Sequence, residues 1–203
     1  MSTLDILNSS FCLCKNPQRL PQAGKCYRCQ AKKLNGLYFA ISYKNNLVKN
    51  LIHQFKYDPY VKELSVSLSS LIITHLLTIQ KSFDRDNSVL IPVPVTKKRK
   101  KLRGFNPSEE IAKELAKNLN LPLLADCLIK IKETRPQMEL SAEERMENIK
   151  GVFAVENAEK IKDKKILLVD DVYTTGSTME ECAGALKGSG AFEVWGVVVA
   201  REE

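Results

Sequence analysis

The sequence has no apolar run long enough to cross a lipid bilayer, so membrane insertion is not expected. Its N-terminus, MSTLDILNSS, lacks the basic and then apolar order of a secretory signal peptide, which favours a cytoplasmic protein. The Walker sequence GxxxxGK[ST] and the three spaced glycines of a dinucleotide-binding turn are also absent. Nucleotide binding through either motif is therefore excluded. The chain shows neither an internal repeat nor a low-complexity tract.

The positive charge of the chain is concentrated in two places. The net charge is +7 over 203 residues, a length that suits one domain with a small appendage. Basic residues outnumber acidic ones in residues 1–36, and six of the seven residues in the run KKRKKLR, Lys97–Arg103, are Lys or Arg. This asymmetry favours a polyanionic partner, with a solvated basic loop as the alternative interpretation.

Four of the six cysteines lie within the first thirty residues, in two pairs. The second pair has the C-x-x-C spacing of a zinc knuckle, whereas the first pair, C-x-C, is one residue shorter. In a reducing compartment four such thiolates favour a tetrahedral zinc ion over disulfides. A lost metal site and two local redox pairs are the alternatives. The expected ligands, in a knuckle over residues 1–36, are Cys12, Cys14, Cys26 and Cys29.

Apolar runs and helical stripes alternate along the rest of the chain. Strands that alternate with helices in this way predict an α/β fold with a parallel sheet. Isolated candidates for chemistry, namely His53, His75, Cys127, Cys182 and Trp195, are interpreted as structural residues. The expected strands are 37–43, 88–95, 166–169 and 192–200, and the expected helices lie near 47–55, 61–79 and 107–119.

The stretch KILLVDDVYTTGSTMEE, residues 165–181, joins an apolar strand to two carboxylates and then to hydroxyls and a glycine. Ser177-Thr178-x-Glu180 has the S/T-x-x-E pattern of a helix start. Backbone N–H groups and hydroxyls at a helix N-terminus bind phosphate well, because the helix dipole is positive there. The sequence therefore predicts a phosphate site at Thr174, Thr175, Gly176, Ser177 and Thr178.

The two carboxylates, Asp170 and Asp171, must face another part of the ligand, because they would repel a phosphate. A sugar diol that donates hydrogen bonds and a divalent cation are the two candidates. A ligand with a phosphate at one end and a diol at the other is a ribose 5-phosphate. A receiver domain would need far more chain after this strand, and a chance Thr/Ser-rich turn is the remaining alternative.

This stretch resembles the phosphoribosyl-pyrophosphate loop of type I phosphoribosyltransferases. Further motifs resemble one branch of that superfamily, the ComF/ComFC (GntX-like) competence family. After the four-cysteine knuckle they are, in order, FKYDPY, IPVP, RGFN, TRPQ, RMENIKGVF and a terminal ARE. The similarity covers essentially the whole chain. Three departures are the short Cys12-x-Cys14 pair, Pro107 after RGFN, and the density of the basic run.

The resemblance implies a type I phosphoribosyltransferase core over residues 37–203, behind a zinc knuckle over residues 1–36. Asp170 and Asp171 would hold the ribose hydroxyls of phosphoribosyl pyrophosphate (PRPP), directly or through Mg²⁺. Lys97–Arg103 would be a flexible loop that closes over the site. The 5-phosphate would lie on the turn described above, and the pyrophosphate would lie on Val95, Thr96 and Lys97, with further contributions from Thr134, Arg135 and Gln137.

The family is associated with natural transformation, so the resemblance implies a role in DNA uptake. The protein would handle incoming single-stranded DNA on the cytoplasmic side, beside a helicase-like ATPase. No acceptor for a ribosyl group is evident and no catalytic residue is assigned, so turnover stays open. The alternative is a non-catalytic single-stranded-DNA-binding adaptor with a vestigial pocket. The expected DNA contacts are Lys98, Arg99, Lys100, Lys101 and Arg103.

Overall fold

The computed structural model describes residues 6–57, 59–132 and 149–202. The strands are β1 (Ser10–Phe11), β2 (Arg19–Leu20), β3 (Gly36–Ser42), β4 (Ser88–Pro92), β5 (Leu128–Lys130), β6 (Phe153–Val155), β7 (Lys165–Tyr173) and β8 (Glu193–Arg201). The helices are α1 (Asn46–Lys56), α2 (Leu64–Thr78), α3 (Lys97–Arg103), α4 (Pro107–Leu119) and α5 (Ser177–Gly188).

Four parallel strands form the central sheet, in the order β3-β8-β7-β4. The predicted parallel α/β fold is confirmed, and the predicted strands and helices are present with ends that shift by a few residues. Strand β4 stops pairing at Pro92, opposite Val169, whereas β7 continues along β8 as far as Tyr173. Asp170 and Asp171 therefore lie within β7, on a part of the strand that β4 does not cover.

Apolar side chains alternate between the two faces of the sheet, as expected of strands that are buried on both sides. In β7, Ile166 and Leu168 pack on the side of α5, and Leu167 and Val169 pack on the side of α1, α2 and α4. Each face thus has its own apolar core. Cys127 and Cys182 are buried in the core on the α5 side, as the structural interpretation of these thiols expected.

The cysteine-rich N-terminal segment packs on the α5 side of the sheet. Cys12 and Leu13 are buried in the same apolar cluster as Met179 and Leu186 of α5. Asn35 is bonded in both directions to β8, because its N–H donates to the carbonyl of Val194 and its side-chain oxygen accepts from the N–H of that residue. The segment is continuous with the core, and a boundary at residue 36 stays a prediction.

The basic run was expected to be a loop, but Lys97–Arg103 forms helix α3. The Thr96 hydroxyl accepts a hydrogen bond from the N–H of Arg99 at 3.3 Å and so caps the start of the helix. Gly104, with φ of 79°, ends the helix in the left-handed conformation that glycine adopts readily. None of the side chains of α3 is buried, so the sequence has no apolar stripe here that would predict a helix.

No helix in the described ranges combines the length and the hydropathy that a bilayer crossing requires.

The start of the described chain packs against the sheet and α2. The N–H of Leu7 donates to the carbonyl of Ala40 in β3. The carbonyl of Leu7 lies 2.6 Å from Nδ1 of His75, which is buried in α2. Burial lowers the pKa of His75, and the hydrogen bond to Leu7 opposes this only in part.

We expect the unfolding free energy to fall as the pH is lowered through and below 6.5, the ordinary His pKa. Below this pH the unfolded chain binds a proton on His75 more readily than the folded protein does. The unfolding free energy therefore falls by at most about 1.4 kcal/mol for each pH unit. Denaturant unfolding at pH 7.5 and 5.5 measures the loss. The variant His75→Gln keeps a side-chain donor and should lose less stability over this interval. An equal loss in both proteins contradicts the role of His75.

Candidate functional site

Two neighbouring strands bring the predicted site residues to the same edge of the sheet. After β4 the N–H of Val93 donates to the carbonyl of Val169 at 2.9 Å, so the chain leaving β4 runs beside the acidic pair of β7. The Asn106 side-chain amide donates to the carbonyl of Val93 at 3.1 Å, and its oxygen accepts from the N–H of Ser108 at the start of α4. The IPVP and RGFN motifs are thus bonded to each other at this edge.

The carboxylates of the acidic pair are fixed by different partners. Asp171 is 3% exposed, and its Oδ1 accepts from the N–H of Val172 and pairs with Nζ of Lys56 at 2.8 Å. Oδ1 of Asp170 accepts from the Ser108 hydroxyl at 2.8 Å and from the N–H of Asp171. All four contacts use Oδ1, which leaves Oδ2 of the partly exposed Asp170 to accept hydrogen bonds from a ligand.

The acidic pair carries more negative charge than Lys56 neutralises. Burial, followed by the charge of Asp171, raises the pKa of Asp170 to about 7, although Lys56 and Ser108 favour its ionised form. Burial lowers the pKa of Lys56, but Asp171 and Asp170 outweigh this effect and raise it overall. A cation or several hydrogen-bond donors would relieve this imbalance, which is the chemistry of a divalent ion or of a sugar diol.

The predicted phosphate-binding turn leads directly into α5. Gly176 has φ of 80°, and a Cβ on it would lie 2.2 Å from the hydroxyl oxygen of Tyr173, so only glycine fits there. The Thr175 and Ser177 hydroxyls lie 2.9 Å apart, Thr174 and Thr175 are exposed, and Ser177 is half-buried. The turn therefore presents hydroxyls next to the start of a helix, where the dipole favours an anion.

The S/T-x-x-E pattern predicted the start of α5 correctly, but no capping box forms there. Gly176 occupies the cap position and supplies no side chain. Glu180, which a capping box would turn back to the helix start, accepts from the N–H of Lys33 at 2.7 Å instead. The N–H of Ser177 donates to the Thr175 hydroxyl at 3.4 Å, a long contact, and neither Gly176 nor Glu180 caps the helix start, which suits the binding of an external anion.

The segment after β4 carries the other predicted contacts. Thr96 is buried because it caps α3, and Lys98 and Lys101 are exposed on that helix. Lys100 pairs with Glu109 of α4 at 2.8 Å. The guanidinium of Arg103 lies 5.5 Å from the ring centre of Tyr57. The expected contributors Thr134, Arg135 and Gln137 lie outside the described residues.

The four N-terminal thiols come together, as the sequence predicted. All four Sγ atoms lie within 4.8 Å of one another, and the Sγ of Cys26 lies 3.5 Å from that of Cys14 and 3.8 Å from that of Cys29. A tetrahedral ion with metal–sulfur bonds of about 2.3 Å requires sulfurs about 3.8 Å apart. The N–H of Gln18 donates to the Sγ of Cys12, as in the outer shell of thiolate sites. The donor set fits one metal ion.

Sequence reasoning missed four residues that organise these sites: Lys56, Ser108, Tyr173 and Arg201. Lys56 belongs to the FKYDPY motif and Arg201 to the terminal ARE, so both were noticed as family signals without a role. Two cavities, of about 430 and 620 Å³, lie near the amino ends of the strands and contain none of the predicted ligand residues. The candidate site lies at the opposite, carboxyl ends of the strands.

Comparison with known proteins agrees with this geometry. The phosphoribosyl transferase domain family matches residues 104–202, which contain α4, the acidic pair, the turn and β8. The chain is 35% identical to Competence protein F of Haemophilus influenzae over 111 residues, 53% of this chain and 48% of that protein. It is 32% identical to the DNA utilization protein YhgH of Escherichia coli K12 over 152 residues, 71% of this chain and 64% of that protein.

A third relative is Competence protein ComFC of Bacillus subtilis, 25% identical over 146 residues, which are 72% of this chain and 56% of that protein. The chain thus matches about half to two thirds of the length of these relatives. The matched domain, the relatives and the clustered cysteines point to the same branch that the motifs indicated. The chain is thus similar to proteins of the ComF/ComFC family, and its residues 104–202 match the phosphoribosyl transferase domain family.

Proposed function

We propose that the protein binds PRPP together with Mg²⁺ at the carboxyl edge of the sheet, and that it serves DNA uptake. The observation that carries the ligand assignment is the acidic pair Asp170–Asp171. It is fixed by Ser108 and Lys56 and followed at once by the glycine-capped start of α5. A ribose that carries a 5-phosphate presents hydroxyls and a phosphate in this same order.

The site is negatively charged at the acidic pair and favours an anion at the turn before α5, which suits a ligand with hydroxyls at one end and a phosphate at the other. At the acidic pair, free carboxylate oxygens can accept from ribose hydroxyls or bind Mg²⁺, which prefers oxygen ligands. At the turn, the N–H groups and the dipole of α5 favour a dianionic phosphate. The pyrophosphate would lie on the turn at Val95, Thr96 and Lys97, which follows the end of β4. Val93 is bonded there to Val169, next to the acidic pair in sequence, and α3 would add cations for the pyrophosphate. No acceptor for the ribosyl group is assigned.

Substitution of the acidic pair and of Gly176 tests the ligand site. Asp170→Asn and Asp171→Asn each remove a charged acceptor, and we expect PRPP affinity in the presence of Mg²⁺ to fall about 10- to 100-fold. Gly176→Ala should abolish binding and reduce the unfolding free energy by at least about 1 kcal/mol, because alanine tolerates neither the positive φ nor the contact with Tyr173. Isothermal calorimetry measures the affinity.

Asp163→Asn is the matched control, because Asp163 is exposed near the amino edge and its φ of 59° suits asparagine. This variant should bind PRPP as the unchanged protein does. If the unchanged protein gives no heat with PRPP and Mg²⁺, the vestigial-pocket alternative is favoured and the ligand assignment is wrong.

We propose zinc as the metal of the four-cysteine cluster. Four buried or half-buried thiolates at this separation suit a closed tetrahedral site, and zinc is the common ion for such a donor set. The short C-x-C pair does not prevent the required approach, since the Sγ of Cys14 lies beside that of Cys26.

Metal analysis of the purified protein should find one zinc ion per chain. Cys14→Ser removes one ligand, and we expect it to lose the zinc and to melt several degrees lower, because metal binding contributes directly to folding. Cys127→Ala is the control: this thiol is buried outside the cluster, so its loss costs stability but leaves the zinc content at one. Zinc-free protein with an unchanged melting temperature contradicts the assignment.

We propose that α3 is a contact surface for single-stranded DNA. The helix carries six cations on seven residues with no buried side chain, and two relatives are named competence proteins. Phosphate neutralisation by Lys and Arg gives affinity that falls with salt. From the family resemblance alone, we propose that this occurs on the cytoplasmic side, beside a helicase-like ATPase.

The double variant Lys98→Gln/Lys101→Gln should weaken binding of an unstructured oligonucleotide. The slope of log affinity against log salt should become shallower by about 1.4, since each single-strand phosphate contact contributes about 0.7. Fluorescence anisotropy at four salt concentrations measures the slope. Lys160→Gln/Lys162→Gln, two exposed lysines near the amino edge, is the matched control and should leave the slope unchanged. Equal slopes in all three proteins exclude α3 as the DNA surface.

A further inference from the structure

Arg201 is one of the largest fully buried side chains described, although it carries a charge. It lies at the end of β8, is 1% exposed, and donates to the carbonyl of Cys12 at 2.6 Å and to that of Cys14. A buried guanidinium loses its hydration and is retained only where it is well bonded. Here its hydrogen bonds go to the backbone of the first cysteine pair.

The other side of Arg201 faces the strand that leads into the phosphate-binding turn. Arg201 is the register partner of Tyr173 in the β7–β8 pairing, and its guanidinium carbon lies 5.4 Å from the centre of the Tyr173 ring. The Tyr173 hydroxyl occupies the space where a side chain of Gly176 would begin. A cation that lies over the face of an aromatic ring is attracted to the ring. A continuous line of contacts thus runs from the cysteine backbone to the turn.

A second connection joins the end of the cysteine segment to Tyr173 and to α5. The N–H of Lys32 donates to the carbonyl of Cys29, and its Nζ donates to the Tyr173 hydroxyl at 3.4 Å. The N–H of Lys33 donates to Glu180 in the first turn of α5, and its side chain lies so close to Gly184 that a Cβ there would be 2.5 Å from Nζ. Both ends of the cysteine segment therefore contact the elements that form the turn.

We propose that Arg201 and Tyr173 are positioning residues that couple the four-cysteine metal site to the phosphate-binding turn, an inference that rests on the ligand and metal sites proposed above. When the metal holds the carbonyls of Cys12 and Cys14 in place, Arg201 is fixed against Tyr173, and Tyr173 fixes the turn. Coupling between two binding equilibria is reciprocal, so bound PRPP must also hinder loss of the metal.

The test uses the full-length, zinc-loaded protein and a zinc-selective chelator. The rate of zinc release is measured with Mg²⁺ alone and with Mg²⁺ and saturating PRPP. In the unchanged protein we expect PRPP to slow release by at least about fivefold, the lower end of common couplings. In Tyr173→Phe and in Arg201→Met this protection should fall below twofold, and Arg201→Lys should restore part of it. Calorimetry on each protein establishes that PRPP is bound during the measurement.

Leu68→Ala is the matched control for lost stability. Leu68 is fully buried in the core on the opposite face of the sheet, so this variant is destabilised without a change to the contacts of Arg201. It should keep the full protection by PRPP. If PRPP binds to the unchanged protein but does not slow zinc release, the coupling is wrong while the ligand assignment stands.

Two further outcomes overturn the inference. If Leu68→Ala loses as much protection as Tyr173→Phe, the effect reflects general stability and not positioning by these residues. If calorimetry shows no PRPP binding to the unchanged protein, the proposed function fails, and the coupling fails with it. Tyr173→Phe removes a single oxygen, so it keeps the test decisive even where Arg201→Met does not fold.

Discussion

The unequal pairing of strand β7 is the constraint on which both sites depend. On one side β7 pairs with β8 as far as Tyr173, and on the other side β4 stops at Pro92. The last residues of β7 are thus supported by one neighbour and uncovered on the other side. This arrangement leaves Asp170 partly exposed at the edge of the sheet, with Asp171 buried beside it, while the pairing with β8 holds both in the strand. It also makes Tyr173 the neighbour of Arg201, and so relates the turn to the cysteine segment.

Buried charges lie near this edge at Arg201 and in the acidic pair, and they are compensated in different ways. Arg201 is bonded to backbone carbonyls and lies over two aromatic rings, those of Tyr173 and Phe39, so its surroundings in the protein favour the cation. The acidic pair has one lysine for two carboxylates, and the raised pKa of Asp170 reflects the remaining repulsion. The charge of Arg201 is thus met by groups of the protein itself, whereas the acidic pair is better satisfied with a ligand present.

Local sequence patterns predicted the features whose causes are local. Apolar runs identified the four strands of the sheet, and the Asn106-Pro107 start of α4 follows known helix preferences. The C-x-x-C and C-x-C spacings predicted the thiol cluster because its ligands arrive in close pairs. Helix α3 was missed because a run of exposed cations has no apolar face, so only the flanking Thr96 and Gly104 signal a helix there.

Contacts between distant parts of the chain were beyond such patterns. Nothing in FKYDPY indicates that Lys56 reaches Asp171, since the contact requires α1 to end at the carboxyl edge. Glu180 has the spacing of a capping residue, yet its carboxylate accepts from the N–H of Lys33, which tertiary packing brings close to it. Arg201 at the end of β8 would ordinarily be expected in solvent. In each case the fold brings a charged residue against a partner that lies far away in sequence.

The burial of Asp171 bears on whether the ligand site is retained or vestigial. A buried ion pair is often no more stabilising than apolar residues of the same size, so the fold alone does not require Asp171 with Lys56. Asp170 costs stability in the absence of a cation or donor, since burial and Asp171 both oppose its ionised form. An adaptor that needed only a rigid scaffold would be more stable with neutral residues at both positions. A ligand at this edge would offset the cost of the two carboxylates beside the glycine turn, which supports the proposed PRPP site over a remnant.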